Sequence, residues 1–129
     1  MSETTAPDRP ATPLALEGYV LDCPDPRALA SFYQDLLGWT EVVSDTPDWV
    51  SLRNPSGGTL SFQRDPEVPP STWPSRERHQ MAHLDVTVPD LAAECERAVR
   101  IGATRLSGEH ENWVVFADPA GHPFCLCRG

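Results

Sequence analysis

Apolar residues recur along the first half of the chain with two different periods, and each period predicts a type of element. Alternating apolar and polar positions predict a strand over Leu16–Cys23, because successive side chains of a strand point to opposite faces. Helical spacing then predicts a helix that begins after Asp25, a good N-cap residue, and ends at Gly38. Alternation and turn residues predict three further strands, over Thr40–Ser44, Trp49–Arg53 and Thr59–Arg64.

The second half follows the same order of periods. It predicts a strand over Met81–Val88, a helix from Asp90 to Ile101, and three strands near Ala103–Leu106, Trp113–Ala117 and Phe124–Cys127. The halves also align residue by residue, since Trp49–Arg64 lies over Trp113–Arg128 without a gap, at an offset of 64 residues. Trp, Val, Pro, Gly and Arg coincide in that alignment, so the sequence predicts a duplicated βαβββ unit.

This duplication sets the predicted domain organisation. We expect one α+β domain over residues 14–129, made of module 1 (14–64) and module 2 (81–128). A polar tail over residues 1–13 is expected to be disordered, and a proline-rich linker over 65–80 joins the modules and could overhang a pocket. A length of 129 residues suits a single domain with a substantial core.

Each predicted strand has one apolar face and one mixed face. In the strand Met81–Val88 the even-numbered residues are all apolar, whereas His83, Asp85 and Thr87 point to the other side. The mixed faces also carry, if the pleat is regular, Gly18, Trp49, Ser51, Arg53, Ser61, Trp113 and Cys125. A β-bulge would reverse these assignments. The mixed face suits the wall of a partly wet ligand cavity, and the apolar face suits packing beneath a helix.

Charge and composition exclude several classes of partner. The net charge is −9 and no cluster of basic residues could neutralise a phosphate backbone, so we expect no nucleic-acid partner. No apolar run is long enough to span a bilayer and no signal peptide is recognisable, so we expect no membrane association and a cytoplasmic location. The four cysteines form no Cys-x-x-Cys pair and are expected to be reduced thiols.

Several motifs together resemble the vicinal oxygen chelate superfamily, which includes glyoxalase I, extradiol dioxygenases and bleomycin-resistance proteins. They are Cys-Pro-Asp-Pro and Phe-Tyr-Gln-Asp-Leu-Leu-Gly in module 1, and His-Leu-Asp and Asp-Pro-Ala-Gly-His-Pro-Phe in module 2. The resemblance runs from about Leu14 to Arg128 and is strongest to the group called glyoxalase-like domains. It implies a cup-shaped mixed sheet with the helices outside, curled around a ligand, and it implies a homodimer.

The resemblance also implies where a metal would bind. In metal-using members of the superfamily the ligands come from equivalent strand positions, two per module, which here are Gly18, Ser61, His83 and Cys125. Glycine offers no ligand and serine a poor one, and the two ligands that remain fall short of the three that a catalytic zinc site normally has. No carboxylate occupies the four positions, so the two-His-one-carboxylate iron triad is absent as well. We therefore expect no metal and no cofactor.

The candidates in module 2 each have a structural alternative. His83 would act as general acid or base, or donate a hydrogen bond to a ligand, but it is equally well interpreted as a hydrogen-bonded strand histidine. Cys125 would be a nucleophile if His83 lowered its pKa, although a strand cysteine is more often a small buried hydrophobe. Asp85 would orient His83 or bind a cationic ligand, and solvation at the rim explains it equally well.

The tryptophans and one arginine complete the set of candidates. Trp49 and Trp113 occupy equivalent positions and could sandwich a flat ligand, each contributing about 0.5–1.5 kcal/mol beyond area burial. Sealing the strand ends against a partner or the linker is the alternative. Arg53 would pair with a carboxylate or phosphate, though most strand arginines are simply exposed. The other histidines lie in predicted loops where the spacing indicates no site: His79, His110 and His122.

Two functions follow, both with a small molecule as the partner. The first is a metal-independent binding protein that sequesters or carries a hydrophobic or aromatic ligand in the cup, as bleomycin-resistance proteins do. The second is a glyoxalase-like lyase or isomerase that uses His83 as acid or base, with or without a weakly held divalent metal. The missing side chain at Gly18 favours the first, because it would give a cavity room. A histidine and Cys125 in one pocket favour the second.

Overall fold

The computed structural model describes residues 8–107 and 110–129, where it contains two helices and eight strands in the predicted order. Module 1 consists of β1 (Gly18–Cys23), α1 (Pro26–Leu37), β2 (Val42–Thr46), β3 (Trp49–Arg53) and β4 (Thr59–Arg64). Module 2 consists of β5 (Leu84–Val88), α2 (Leu91–Arg100), β6 (Thr104–Arg105), β7 (Trp113–Ala117) and β8 (Pro123–Arg128). The prediction of two tandem βαβββ modules in an α+β fold is confirmed.

Each module forms its own four-stranded mixed sheet. The strand orders are β1-β4-β3-β2 and β5-β8-β7-β6, and in each sheet the first and last strands of the module pair in parallel while the other pairs are antiparallel. In module 1 Val20 lies opposite Ser61, and in module 2 Asp85 lies opposite Cys125. The two sheets therefore repeat one topology, as the duplicated sequence predicts.

Some strand boundaries differ from the prediction, and the backbone explains why. The first strand begins at Gly18 rather than Leu16, because its partner β4 starts only after the turn glycines Gly57 and Gly58, which have positive φ. The fifth begins at Leu84 rather than Met81, because Met81 has a φ of 54°, which an extended strand does not allow. The pairing of β2 with β3 is interrupted by a β-bulge between Val42 and Ser44. Of the predicted tail, residues 1–7 lie outside the described residues, and residues 8–13 are exposed and belong to no helix or strand.

Both helices begin at capping aspartates, as predicted for α1. The Asp25 side chain accepts a hydrogen bond from the backbone N–H of Ala28 at 3.2 Å, and Asp90 accepts one from Ala93 at 3.1 Å. Helix α1 ends at Gly38, whose φ of 72° lets its N–H reach the carbonyl of Gln34 at 2.8 Å. The capping aspartates therefore set the residue at which each helix begins.

An aromatic cluster joins the two modules in one core. Tyr33 of α1 stacks on Phe62 of β4 with ring centroids 5.6 Å apart, and its edge contacts Phe124 of β8 at 6.2 Å. Phe32 also contacts Phe124, at 6.0 Å. Arg97 of α2 adds a polar connection, because its guanidinium donates to the carbonyl oxygens of two residues at the end of α1, Asp35 and Leu36. The apolar faces of both sheets thus contribute to a shared core, and the mixed faces remain for the site.

Candidate functional site

The mixed face of module 1 forms the floor of an open pocket of about 690 Å³, which we call the module 1 pocket. Three predicted site residues line it, namely Trp49, Arg53 and Ser61. Ser51 and Ser61 are the deepest of its polar residues, with exposed fractions of 5% and 2%. Its apolar walls come from Ala15, Leu16, Val43 and Trp49, and Glu17 and Ser44 also line it. The pocket therefore combines apolar walls with a buried polar floor and with charged residues.

The floor consists of three hydroxyl groups in a row, which we call the hydroxyl chain: Ser51, Ser61 and Thr59. The indole N–H of Trp49 donates to Ser51 Oγ at 2.7 Å, and Ser51 Oγ lies 2.6 Å from Ser61 Oγ. Ser61 Oγ donates to Thr59 Oγ1 at 3.5 Å, and Thr59 Oγ1 donates to the carbonyl oxygen of Glu17, also at 3.5 Å. Alternating residues of the antiparallel strands β3 and β4 produce this row, since Ser51 and Ser61 are directly opposite each other.

Arg53 lies at the rim of the module 1 pocket. Its Nε is 3.7 Å from a carboxylate oxygen of Glu41, and the two side chains are 44% and 66% exposed. An ion pair this long and this exposed contributes little to stability. Glu41 therefore holds Arg53 only weakly, and the role of Arg53 in binding an anionic ligand stays a prediction.

Module 2 brings three predicted site residues together in a second group, which we call the His83 cluster: His83, Asp85 and Cys125. The His83 Nε2 atom is 3.1 Å from Asp85 Oδ1. One ligand atom from each of the three residues lies within 4.8 Å of the other two. The register places Asp85 directly opposite Cys125 on neighbouring strands, and His83 precedes Asp85 by two residues, so all three point to the same side.

The Cys125 thiol in this cluster is protonated at neutral pH. Burial, together with the charge of Asp85 and a hydrogen bond to it, raises the pKa of Cys125 to about 11. A nucleophilic cysteine needs the opposite environment, in which nearby positive charge lowers the pKa and produces thiolate. The hypothesis of a nucleophile therefore has no support from the electrostatics around Cys125.

The same three side chains could together bind a divalent metal. The four superfamily positions supply only two good ligands, and Asp85 adds a third. An imidazole, a thiol and a carboxylate give the three protein ligands of a catalytic zinc site. The sequence analysis did not count Asp85 among the metal ligands, and instead expected it to orient His83, to bind a cationic ligand or to be solvated at the rim. Of the three side chains, His83 and Cys125 occupy superfamily ligand positions and Asp85 does not. Ser61, at a third such position, is held in the hydroxyl chain of module 1. Bound there, a metal would supply Lewis-acid chemistry.

The two remaining predicted residues, Trp113 and Gly18, have environments that the sequence did not indicate. The ring of Trp113 is already stacked by His110, with centroids 3.4 Å apart and planes at 15°, so one face of the indole is occupied. Gly18 does not give a cavity room, and that expectation was wrong. A Cβ atom at Gly18 would overlap the carbonyl oxygen and the hydroxyl of Thr59. Glycine is required there because β1 and β4 approach closely.

A buried polar network at the junction of the modules was missed at the sequence level. Asp118 is 3% exposed and accepts hydrogen bonds from the Tyr33 hydroxyl at 2.7 Å and from the backbone N–H of Ala120 and His122. His122 Nδ1 lies 2.8 Å from Asp118, and its Nε2 lies 2.7 Å from the carbonyl oxygen of Asp22. The Asp-Pro-x-Gly turn was a usable signal, because the aspartate of such a turn binds the following amides.

The surroundings of His122 favour its imidazolium form. Both of its ring nitrogens face oxygens of accepting groups, a carboxylate and a carbonyl, and a hydrogen on each nitrogen satisfies both contacts. Burial lowers the pKa of His122, but the hydrogen bond and charge of Asp118, with the carbonyl and charge of Asp22, outweigh burial and raise it. The network therefore connects module 2 to β1 and α1 through a charged pair.

The described residues also line other cavities. A cleft of about 720 Å³ opens between the end of α1 and β5, and its lining includes Tyr19, Trp39, Arg97, the predicted site residue Asp85, and Thr59, which it shares with the module 1 pocket. The linker does not cover the module 1 pocket. It forms a pocket of about 470 Å³ of its own, between Val68–Ser71 and the turn before β8.

The duplicated βαβββ fold and the positions of the candidate residues define a member of the vicinal oxygen chelate superfamily. Residues 18–127 match the family described as glyoxalase-like domain, and the chain belongs to that family. No curated protein matches the chain. No helix within the described residues is long and apolar enough to cross a membrane.

Solved structures with the same fold come from several bacteria. A glyoxalase/bleomycin resistance protein/dioxygenase family enzyme from Burkholderia phytofirmans is 17% identical, with a TM-score of 0.70 over 87% of this chain and 96% of that one. A glyoxalase-related enzyme from Fulvimarina pelagi is 22% identical, with a TM-score of 0.63 over 89% and 88%. A possible glyoxalase from Bacillus cereus is 14% identical, with a TM-score of 0.68 over 89% and 99%. At these identities the likeness shows the fold alone.

Proposed function

We propose that this glyoxalase-like domain is a binding protein that sequesters or carries a small hydrophobic or aromatic molecule without needing a metal. The observation that carries the proposal is the module 1 pocket, with its apolar walls, its ring of Trp49 and its buried hydroxyl floor. Ligand sites are typically concave and mostly apolar, with a few fixed polar groups that orient the ligand. No histidine or cysteine is among the described residues that line this pocket.

Native mass spectrometry of the purified protein, followed by titration with apolar aromatic compounds, tests this function. We expect the native mass to include about one bound small molecule per module 1 pocket. Where the protein is purified without a ligand, we expect the aromatic compounds to quench tryptophan fluorescence on titration. Trp49→Ala should weaken binding by about 0.5–1.5 kcal/mol or more, because the indole forms a wall of the pocket. Trp73→Ala, in the linker and outside that lining, is the matched control and should leave the affinity unchanged. A bare protein mass together with no binding of any aromatic compound would count against the proposal.

A glyoxalase-like enzyme is the second candidate, and the His83 cluster favours it. His83 has Asp85 at 3.1 Å, which can hold the imidazole in one orientation so that its other nitrogen exchanges a proton with a substrate. The imidazole, the thiol of Cys125 and the carboxylate also lie close enough together to hold a divalent ion. In this function His83 is the acid or base, and the substrate lies over the mixed face of module 2.

Elemental analysis of untagged protein separates the two candidates. The binding function predicts no retained metal after incubation with zinc, nickel, manganese and iron followed by desalting. Near-stoichiometric metal that is lost in His83→Ala, with Ser61→Ala unaffected as the control from module 1, would instead support the enzyme. Ser61 is the right control because it occupies the equivalent strand of the duplicated fold.

We also propose a homodimer and a cytoplasmic location. Apolar side chains that are nearly half exposed support the dimer: Val20, Val42, Val43 and Trp113. The location is supported by the four cysteines, all of which are free. Light scattering coupled to gel filtration measures the mass, and a monomer at micromolar concentration would refute the dimer.

A further inference from the structure

We propose that the hydrogen bonds of the hydroxyl chain run in one fixed direction, so that the floor of the module 1 pocket accepts hydrogen bonds but does not donate them. The ligand is therefore an aromatic ring that bears a hydrogen-bond donor, such as a phenol. This inference rests on the proposed binding function and specifies its ligand class. It follows from the two groups that end the chain and from the number of hydrogens between them.

The direction is set at the carbonyl end. The oxygen of Glu17 has no hydrogen, so in its 3.5 Å contact with the Thr59 hydroxyl the hydroxyl is the donor, beside the Thr59 backbone N–H that donates to the same oxygen at 2.9 Å. Thr59 has no second hydrogen, and therefore Ser61 must donate to Thr59. Ser61 has then used its own hydrogen, and the hydrogen in the 2.6 Å contact must come from Ser51. If the direction were reversed, one buried hydroxyl would have no acceptor for its hydrogen, and an unpaired buried donor costs free energy of folding.

The indole end agrees with this direction. The indole N–H of Trp49 can only donate, and Ser51 accepts from it at 2.7 Å while giving its own hydrogen to Ser61. All three hydroxyl hydrogens are thus committed along the chain. A hydroxyl oxygen has two lone pairs, and each of the three oxygens accepts one hydrogen within the chain, so each keeps one lone pair for a ligand.

The surroundings define the rest of the ligand. Ala15, Leu16, Val43 and the ring of Trp49 form apolar walls above the hydroxyl chain, which suits a flat apolar body. If the ligand faced the hydroxyl chain with acceptors only, its lone pairs would repel those of the hydroxyl oxygens. An O–H or N–H group at the same place would instead donate a hydrogen bond to one of these oxygens. The walls therefore select a ring, and the floor selects a donor on that ring.

Isothermal titration calorimetry with 2-naphthol and 2-methoxynaphthalene tests the inference. The two probes share a ring system, but only the first has a donor, and the second is larger and more apolar. Area burial alone favours the ether. We expect 2-naphthol to bind roughly three- to tenfold more tightly, which corresponds to one net hydrogen bond.

Thr59→Val is the decisive variant, because valine has nearly the same shape and β propensity but cannot accept from Ser61. One hydroxyl hydrogen then becomes free at the floor, and the preference for 2-naphthol should disappear. Thr104→Val, on the exposed strand β6 of module 2, is the matched control and should retain it. If Thr59→Val does not fold, Ser61→Ala breaks the same chain and gives the same readout.

Each outcome decides one of the two proposals. Equal affinities in the wild type, or a preference that survives Thr59→Val, would overturn the fixed direction while leaving the binding function in place. Failure of both probes to bind the wild type would overturn the ligand class, and native mass spectrometry with the wider titration described above then decides the binding function. A preference that is present in the wild type and lost only in the chain-breaking variants would establish the ligand class.

Discussion

Replacing Asp118 by alanine should destabilise the protein more than any other exchange of a single acidic residue in the described structure. The carboxylate is 3% exposed and its oxygens receive four donors, two from side chains and two from backbone amides. Alanine would leave the imidazolium of His122, the hydroxyl of Tyr33 and the two turn amides without their partner. The penalty therefore arises from several buried groups at once.

The magnitude follows from the geometry of the pair. Removing one partner of a buried ion pair costs about 3–5 kcal/mol, because a buried charge is left uncompensated. The His122 side chain is 22% exposed and can release its proton, which places the expected cost near the lower end, at about 3 kcal/mol. Tyr33→Phe removes only the 2.7 Å hydrogen bond to the carboxylate and should cost about 1.5 kcal/mol.

Urea unfolding followed by tryptophan fluorescence measures these costs as shifts of the midpoint at constant slope. Asp45→Ala is the matched control, since Asp45 also pairs with a basic side chain at 2.7 Å but is 56% exposed, and it should cost less than about 1 kcal/mol. A cost for Asp118→Ala no larger than that of Asp45→Ala would refute the reasoning. It would mean that the network contributes no more than a surface ion pair.

Three further predictions concern the junction of the modules and the close approach of two strands. Because the folded-state pKa of His122 is raised above its ordinary value of about 6.5, the wild type should be most stable relative to His122→Gln below pH 6.5, and should lose that advantage as pH rises through the raised pKa. A difference in urea midpoint that stays constant from pH 5.5 to 8.5 would contradict this. Arg97→Met should cost about 1–2 kcal/mol by the same assay, because it removes the donors to the carbonyls at the end of α1, and unchanged stability would show that water replaces them. Gly18→Ala should cost about 1–3 kcal/mol, because the added methyl overlaps Thr59, and a variant as stable as the wild type would mean that the parallel pair can widen.

The periodicity of the sequence predicts the fold well wherever pairing within one module sets the boundaries. The strands β3, β4 and β7 have the predicted limits, and α1 begins and ends at the predicted cap residues. The predicted strand limits are wrong where the backbone conformation, rather than the side-chain pattern, determines where a strand begins. Apolar and polar residues alternate from Ala82 to Val88, but Met81 has a positive φ and the strand β5 begins only at Leu84.

Alternation also predicts which side a residue faces, but it does not predict which residues meet there. The pattern puts His83, Asp85 and Cys125 on the mixed face, and the structure brings them within 4.8 Å of one another. It puts Ser61 on the mixed face of module 1, where Ser51 binds it. That Gly18, Ser61, His83 and Cys125 converge on one concave surface stays a prediction. Contacts such as Tyr33 with Asp118, which are 85 residues apart, depend on how the modules pack and leave no local signal.

The duplicated positions have acquired different chemistry in the two modules. Ser61 and Cys125 occupy equivalent strands, yet the neighbour of Ser61 is a hydroxyl and the neighbour of Cys125 is a carboxylate. A hydroxyl chain bounded by an indole and a carbonyl carries no charge, so the floor of the module 1 pocket offers neutral hydrogen-bonding groups only. The His83 cluster holds an imidazole, a carboxylate and a thiol, which are the side-chain groups that bind divalent cations in proteins. The proposed binding of a neutral aromatic molecule therefore rests on module 1, and the proposed alternative of proton transfer or metal chemistry rests on module 2.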